Sequence, residues 1–222
     1  MKHIGLFGGT FNPVHLGHVQ VIREVKSGFN LDEILIIPTA LPPHKKSENV
    51  VDAKDRLEMI RLAFLNDPDF VISDVELKRT GPSYTIDTVR YFRTILPEST
   101  TLYLIMGLDA FLEIDTWKSY KELFLLIPFI VMFRTLSAED EKTVGWKSLR
   151  NYLRSSISKG YTFSAAQSCY VHDKKQPVFV VDVSPVDISS TTIREHIKKG
   201  EPIKHLVPEI IADFIKIKGL YR

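Results

Sequence analysis

Cysteine is almost missing from this chain: Cys169 is the sole one among 222 residues. No internal disulfide can form, so burial must hold the fold together, and a reducing cytoplasm is the expected setting. Cys169 itself reads as a small core or surface residue. Long apolar runs are missing too. The longest, Leu123 to Phe133, has eleven residues and is broken by Pro128, well short of the ~20 a membrane-spanning helix needs. The first strand pattern begins at once, so no signal peptide and no membrane partner are expected. Charge of one sign is not in excess either. Lys+Arg total 29 against 27 for Asp+Glu, which argues against a broad basic face for nucleic acid. Internal repeats and low-complexity tracts are absent. What remains, 44% hydrophobic and 25% charged residues, is the composition of an ordinary globular protein.

Apolar runs of strand length alternate with amphipathic stretches of helical length. That pattern predicts an α/β fold, a Rossmann-like doubly wound sheet that is mostly parallel with helices on both faces. Strands are expected at His3–Phe7, Glu33–Ile37, Phe70–Val75, Thr101–Met106, Phe129–Phe133 and Val178–Val183. Asp52 is expected to cap a helix reaching about Leu65, with Leu57, Ile60 and Phe64 inward. Ser83 should cap another through Leu96, with Ile86, Val89, Phe92 and Leu96 on one face. Later helices are read from Ser190 to Lys199, stopped by Gly200, and from Pro208, with Ile210, Ile211, Phe214 and Ile215 inward. Residues 135–176 are polar and read as a peripheral excursion holding one helix around 146–157, not as a second domain.

The densest information lies in Gly8 to His18, GGTFNPVHLGH. Asn12 is read as a helix N-cap and Pro13 as the first helical residue. His15 and His18 then share a face and lean back toward the glycine turn, where helix N–H groups attract phosphate. This is not a Walker loop, because no Gly-Lys-Ser/Thr follows, and Gly5, Gly8 and Gly9 miss the G-x-G-x-x-G spacing. Two other readings stand beside the phosphate site. The imidazoles could be metal ligands joined by His3 and His44, although no Cys pair or carboxylate lies nearby to complete a zinc set; or they could be buried and structurally satisfied.

GGTFNPVHLGH resembles the signature of the nucleotidyltransferase superfamily marked by His-x-Gly-His, here His15-Leu16-Gly17-His18. Ile188-Ser189-Ser190-Thr191-Thr192-Ile193-Arg194 resembles that superfamily's C-terminal I-S-S-T-x-I-R element. Between them stand Pro42-Pro43-His44-Lys45, Pro82-Ser83-Tyr84-Thr85, Gly107-Leu108-Asp109 and Thr116-Trp117, and the chain ends Gly219-Leu220-Tyr221-Arg222. In that order the set is similar to the bacterial nicotinate-nucleotide adenylyltransferases, and it spans nearly the whole chain. The resemblance implies one nucleotidyltransferase domain over 1–222. Its expected reaction joins ATP to nicotinate mononucleotide, giving nicotinate adenine dinucleotide and pyrophosphate in NAD biosynthesis, with Mg2+ carried by ATP. It also implies His15, His18 and Arg194 as catalytic residues. Gly8, Gly9, Thr10, Phe11, Lys45, Ile188, Ser189, Ser190 and Thr191 would join them around ATP and its phosphates. His44, Ser83, Tyr84, Thr85, Gly107, Asp109 and Trp117 would receive the second substrate, with no resident metal site.

The chemistry suits those residue types. The attacking group is a phosphate monoester, mostly a dianion at neutral pH because its second pKa is about 6, so no general base is required. The site must supply alignment and positive charge, which imidazoles, Lys45, Arg194 and two helix starts provide. A helix start near Ser83 to Thr85 favours a carboxylate over a neutral amide, whose own N–H groups would face donors. Several residues keep a plainer reading: Arg194 as a solvated helix residue, the Ser/Thr run as caps, Trp117 as a core aromatic, Asp109 as a loop carboxylate facing water. Sister transferases acting on nicotinamide mononucleotide or phosphopantetheine are the alternative enzymes. A nucleotide- or RNA-binding module is the alternative outside catalysis, and a homo-oligomer stays open.

Overall fold

The computed structural model describes residues 1–40, 50–134 and 139–222. Its elements run β1 (Lys2–Gly9), α1 (Leu16–Gly28), β2 (Glu33–Pro38), α2 (Ala53–Ala63), β3 (Phe70–Ile72), α3 (Thr85–Ile95), β4 (Thr100–Gly107), the single turn α4 (Leu108–Phe111), α5 (Tyr120–Leu126) and β5 (Phe129–Arg134). They continue with α6 (Glu139–Tyr152), β6 (Thr162–Ser164), β7 (Cys169–His172), β8 (Lys175–Val183), α7 (Ser190–Lys199) and α8 (Glu209–Lys218). One sheet takes all the strands in the order β3-β2-β1-β4-β5-β8-β7-β6. From β3 to β8 every pairing is parallel.

The central parallel strands are largely apolar because both faces of the sheet are covered there. Successive side chains point to opposite faces, and each strand accordingly splits its residues between two cores. Ile34, Ile36, Ile105, Ile130 and Met132 join α1, α2, α7 and α8 on one face. Leu35, Ile37, Leu104, Met106, Val131 and Phe133 join α3, α5 and α6 on the other. Each helix buries one stripe: α3 hides Ile86, Val89 and Phe92 at three-residue steps. The chain steps outward from β1 to β2 and β3, then returns across to β4 on the other side of β1. That reversal opens a crevice at the carboxyl ends of β1 and β4, where ligands bind in doubly wound sheets.

Several expectations need correction. In α2, Arg56, Met59 and Ile60 are buried while Leu57 is only partly covered. In α8, Ala212 takes the inward place expected of Ile210, which is exposed. The third strand stops at Ile72. The single helix expected within 135–176 is joined by two unexpected strands: β6 and β7 extend the edge of β8 antiparallel. Its isolated aromatics explain this, since Tyr161 and Tyr170 are buried and Trp146 stacks on Phe133 at 5.9 Å. Cys169 is buried in this edge, and burial pushes its thiol up from its ordinary value, which marks it as an unreactive core residue. No helix among the described residues is long and apolar enough to cross a membrane.

Candidate active site

The first helix starts later than its sequence suggests. Asn12 does not cap it, and Pro13, which follows a cis peptide, lies outside it. His15 is the N-cap, in extended conformation, and forms a reciprocal box with His18. The His18 backbone N–H donates to His15 Nδ1, and the His15 backbone N–H donates to His18 Nδ1, each at 3.3 Å. This has a direct chemical consequence. A ring nitrogen that accepts a hydrogen bond carries no proton, so each neutral imidazole keeps its proton on Nε2. The helix cap thereby turns both rings into Nε2–H donors. The rings stack at 3.6 Å, and a Phe11 edge meets His18 at 5.1 Å.

Two glycines allow this close approach. A side chain on Gly17 would meet His15 Nδ1 at 3.1 Å, so the glycine between the histidines gives the His15 ring room to fold back. A side chain on Gly9 would press into the Phe11 ring at 2.9 Å. Phe11 itself is buried with φ at 49°, in the left-handed region that non-glycine residues seldom occupy.

The late element joins this turn from the far end of the chain. The Ser189 hydroxyl accepts from the Thr192 N–H at 3.0 Å, so Ser189 is the cap of α7. The Ser190 hydroxyl donates to the Pro13 carbonyl at 2.9 Å. Arg194 donates to the Asn12 carbonyl at 2.9 Å and to the Thr191 hydroxyl at 3.1 Å. Ile188 packs against the first core. Asn12, displaced from its expected capping role, accepts from the Val51 N–H at 3.2 Å and from the Tyr221 hydroxyl at 3.0 Å. The two signature elements are therefore in contact, and the GLYR ending is tied to the same turn.

The other half of the site is a cavity of about 530 Å3 walled by Gly8, Gly9, Thr10, Ser83, Tyr84, Thr85, Met106, Gly107, Trp117 and others. Ser83 does not cap α3, as its sequence position suggests. Its hydroxyl accepts from the Ala40 N–H at 3.0 Å, and Tyr84 takes the N-cap position without any side-chain cap bond. The Asp87 N–H donates to the Tyr84 carbonyl at 3.0 Å, and the Thr85 and Ile86 N–H groups ahead of it have no intrahelical acceptor at this end of the helix. Trp117 is half-buried, one side packed on the second core and the other on the cavity. Asp109 is exposed and not in the wall; its carboxylate lies against Gly107, in the space a side chain there would fill. His44 and Lys45 lie outside the described residues.

Sequence reasoning missed four residues. Lys118 reaches across the cavity rim, 4.3 Å from the Tyr84 ring and 3.1 Å from Asp87; its only signal was adjacency to Trp117. Glu76 and Thr88 are buried polar residues in the cavity wall. Arg56 is buried beneath the glycine turn and donates to the carbonyls of Thr10 and Thr39, both at 2.8 Å. No periodicity marks a buried arginine.

A cytidylyltransferase-like family model matches residues 6–196. A Desulfatibacillum aliphaticivorans protein named "Probable nicotinate-nucleotide adenylyltransferase" is 36% identical over 98% of this chain and 99% of its own. One of the same name from Dehalococcoides mccartyi is 34% identical over 98% of this chain and 96% of its own. Among solved structures, Plasmodium falciparum nicotinic acid mononucleotide adenylyltransferase complexed with NaAD superposes with a TM-score of 0.73 at 19% identity, over 100% of this chain and 98% of that one, a likeness of fold. With the His-x-Gly-His cap, the late helix docked on it and a cavity at the switch point, this full-length similarity has one reading: the chain belongs to the nicotinate-nucleotide adenylyltransferase family of cytidylyltransferase-like proteins.

Proposed function

We propose that this chain, acting as one nucleotidyltransferase domain, joins nicotinate mononucleotide to the adenylyl group of ATP. An oxygen of the mononucleotide's phosphate attacks the α-phosphorus, the new P–O–P linkage forms, and the bond to pyrophosphate breaks. The observation that carries this reading is the pairing of two stacked imidazoles, each held at Nδ1 by a backbone N–H at the glycine turn, with a cavity walled by a helix start that has no side-chain cap and by a tryptophan. The imidazoles serve as donors to phosphate oxygens, and no proton has to be removed from a nucleophile that is already anionic. Arg194, held between Asn12 and Thr191, supplies fixed charge beside them. The Tyr84 and Thr85 end of α3 receives the ring carboxylate, Trp117 stacks on the ring, and Asp109 beside Gly107 accepts from a ribose hydroxyl. Lys45 with His44 adds charge on the ATP side. Magnesium enters as part of the ATP substrate; among the described residues no group of three or more His, Cys, Asp or Glu is placed to hold a metal, and none is assigned to the protein. The reading places the reaction in the cytoplasm, where ATP is available, and involves neither nucleic acid nor membrane.

A pyrophosphate-release assay comparing nicotinate and nicotinamide mononucleotides tests it. Release with ATP and nicotinate mononucleotide, and much less with the amide, is expected. Release with neither would overturn the assignment.

Two substitutions probe the roles. Arg194→Lys keeps the charge but loses the planar fork that meets two acceptors at once. Losing one charged hydrogen bond costs about 1.5–3 kcal/mol, so ATP-dependent kcat/KM should fall about 10- to 100-fold; near wild-type kinetics would make Arg194 a surface residue. Trp117→Ala should raise the KM for nicotinate mononucleotide about 2- to 12-fold, from the roughly 0.5–1.5 kcal/mol of an aromatic pair, with little change for ATP. Thermal unfolding measured alongside separates the alternatives. A large loss of Tm with both substrates equally harmed would assign Trp117 to the core.

A further inference from the structure

The cavity wall contains a buried carboxyl that none of these roles uses. Glu76 is 7% exposed, yet it faces the cavity beside Ser83, Tyr84 and Thr88. The Thr88 hydroxyl donates to it at 2.7 Å, and the nearby Ser83 hydroxyl helps to stabilise its charged form. Arg79 closes the network from behind, donating to Thr88 Oγ1 at 2.9 Å and to the Asp87 carbonyl at 3.3 Å. The Thr88 hydroxyl thus has its proton turned toward Glu76. Ser83 keeps a lone pair for the Ala40 N–H, which it accepts at 3.0 Å. Glu76, bonded to Thr88 and lying beside Ser83, sits where the end of β2, the approach to α3 and the first turns of α3 meet.

The two ends of this tie are not equally held. Ala40 and Thr39 are anchored a second time, by Arg56 donating to their carbonyls at 3.3 and 2.8 Å. Tyr84, in contrast, enters α3 without a side-chain cap bond. Loss of Glu76 therefore loosens the α3 side and leaves the β2 side in place. Burial raises the Glu76 carboxyl above its ordinary value while the two hydroxyls and Arg79 pull it down, as expected of a carboxyl kept inside for its hydrogen bonds.

We propose that Glu76 is a positioning residue for the pyridine substrate: through Thr88, and packed beside Ser83, it fixes the backbone at Tyr84 and Thr85 where the ring's carboxylate is received. This rests on the reading of the cavity as the nicotinate mononucleotide site. A geometric role predicts a selective effect. Misplaced N–H groups weaken the pyridine substrate and blunt the distinction between carboxylate and amide, while the ATP side, organised by His15, His18 and Arg194, is untouched.

The test is steady-state kinetics of Glu76→Ala, Glu76→Gln and Thr88→Val, with each substrate varied separately and thermal unfolding measured on the same samples. Glu76→Ala is expected to raise the KM for nicotinate mononucleotide at least about tenfold, to leave the KM for ATP within about twofold, and to shrink the preference over nicotinamide mononucleotide. Glu76→Gln, whose amide oxygen still accepts a hydroxyl, should recover most of the loss. Thr88→Val keeps the shape and cuts one bond, so it should give a smaller change of the same kind, about threefold, even if Glu76→Ala does not fold. Equal rises for both substrates, or unchanged kinetics in folded variants, would overturn the role. A wild-type protein inert toward both pyridine mononucleotides would instead remove the reading beneath it, and the proposal with it.

Discussion

Replacing His18 by alanine is expected to lower kcat about 10²- to 10³-fold, the usual cost of removing one donor aimed at charge that grows in a transition state. The structure adds a second, smaller effect. His18 Nδ1 accepts the His15 N–H as half of the helix-capping box, and a lost cap costs about 1 kcal/mol. In a chain of this length that corresponds to a Tm lower by about 2–4 °C. The two numbers separate the roles, because a purely structural histidine would show the second without the first. His18→Asn sharpens the test: its carboxamide oxygen can accept the His15 N–H and its NH2 can donate outward, so part of the rate should return. A folded His18→Ala variant with wild-type kcat would end the assignment of His18 as a phosphate donor.

The parts of this molecule that were legible beforehand are those with a local cause. Alternating apolar runs gave the parallel sheet because strands buried on both faces must be apolar throughout. The α7 boundaries followed from the hydroxyl-rich run at its start, of which Ser189 turns out to be the cap, and from Gly200 after it. The mistakes came from long-range competition for the same groups. Asn12 and Ser83 stand where N-caps belong, but Tyr221, Val51 and Ala40 claim their side chains from distant segments, and neighbouring residues take the caps. Edge strands β6 and β7 were missed because short polar hairpins carry little period-two signal, although Tyr161 and Tyr170 had reason to be buried. Site motifs were legible as a set; their mutual contact was not. Nothing local to Arg194 says that it will bond the Asn12 carbonyl across most of the chain.

Arg56 is the clearest case of a residue whose importance only the fold reveals, and it carries the largest expected stability effect. It is 1% exposed, and its guanidinium donates to the carbonyls of Val51, Thr10, Thr39 and Ala40 at 3.2, 2.8, 2.8 and 3.3 Å. Burial lowers its pKa from the ordinary value, yet a guanidinium remains charged at any physiological pH. Arg56→Met preserves much of the volume and strips the donors, leaving four carbonyls to find partners in a buried place. A single charged hydrogen bond is worth about 1.5–3 kcal/mol, so a loss of at least about 3 kcal/mol is expected even if water or local shifts repair part of the damage. For a chain of this size that lowers Tm by about 6–12 °C, measured by calorimetry or by denaturant titration. Arg56→Lys should fall between, since an ammonium has three donors and no planar fork with which to span carbonyls on two separate loops. Activity offers the independent check. Thr10 belongs to the glycine turn and Ala40 is bound to Ser83 at the entry of α3, so a relaxed Arg56 site displaces both halves of the active site together. Both apparent KM values should rise in parallel, unlike the one-sided change expected for Glu76. An Arg56→Met variant within about 1 kcal/mol of the wild type would mean that these carbonyls are satisfied without it, and that the turn bearing Thr10 is held by its other contacts, those of Asn12, Ser190 and Arg194 among them.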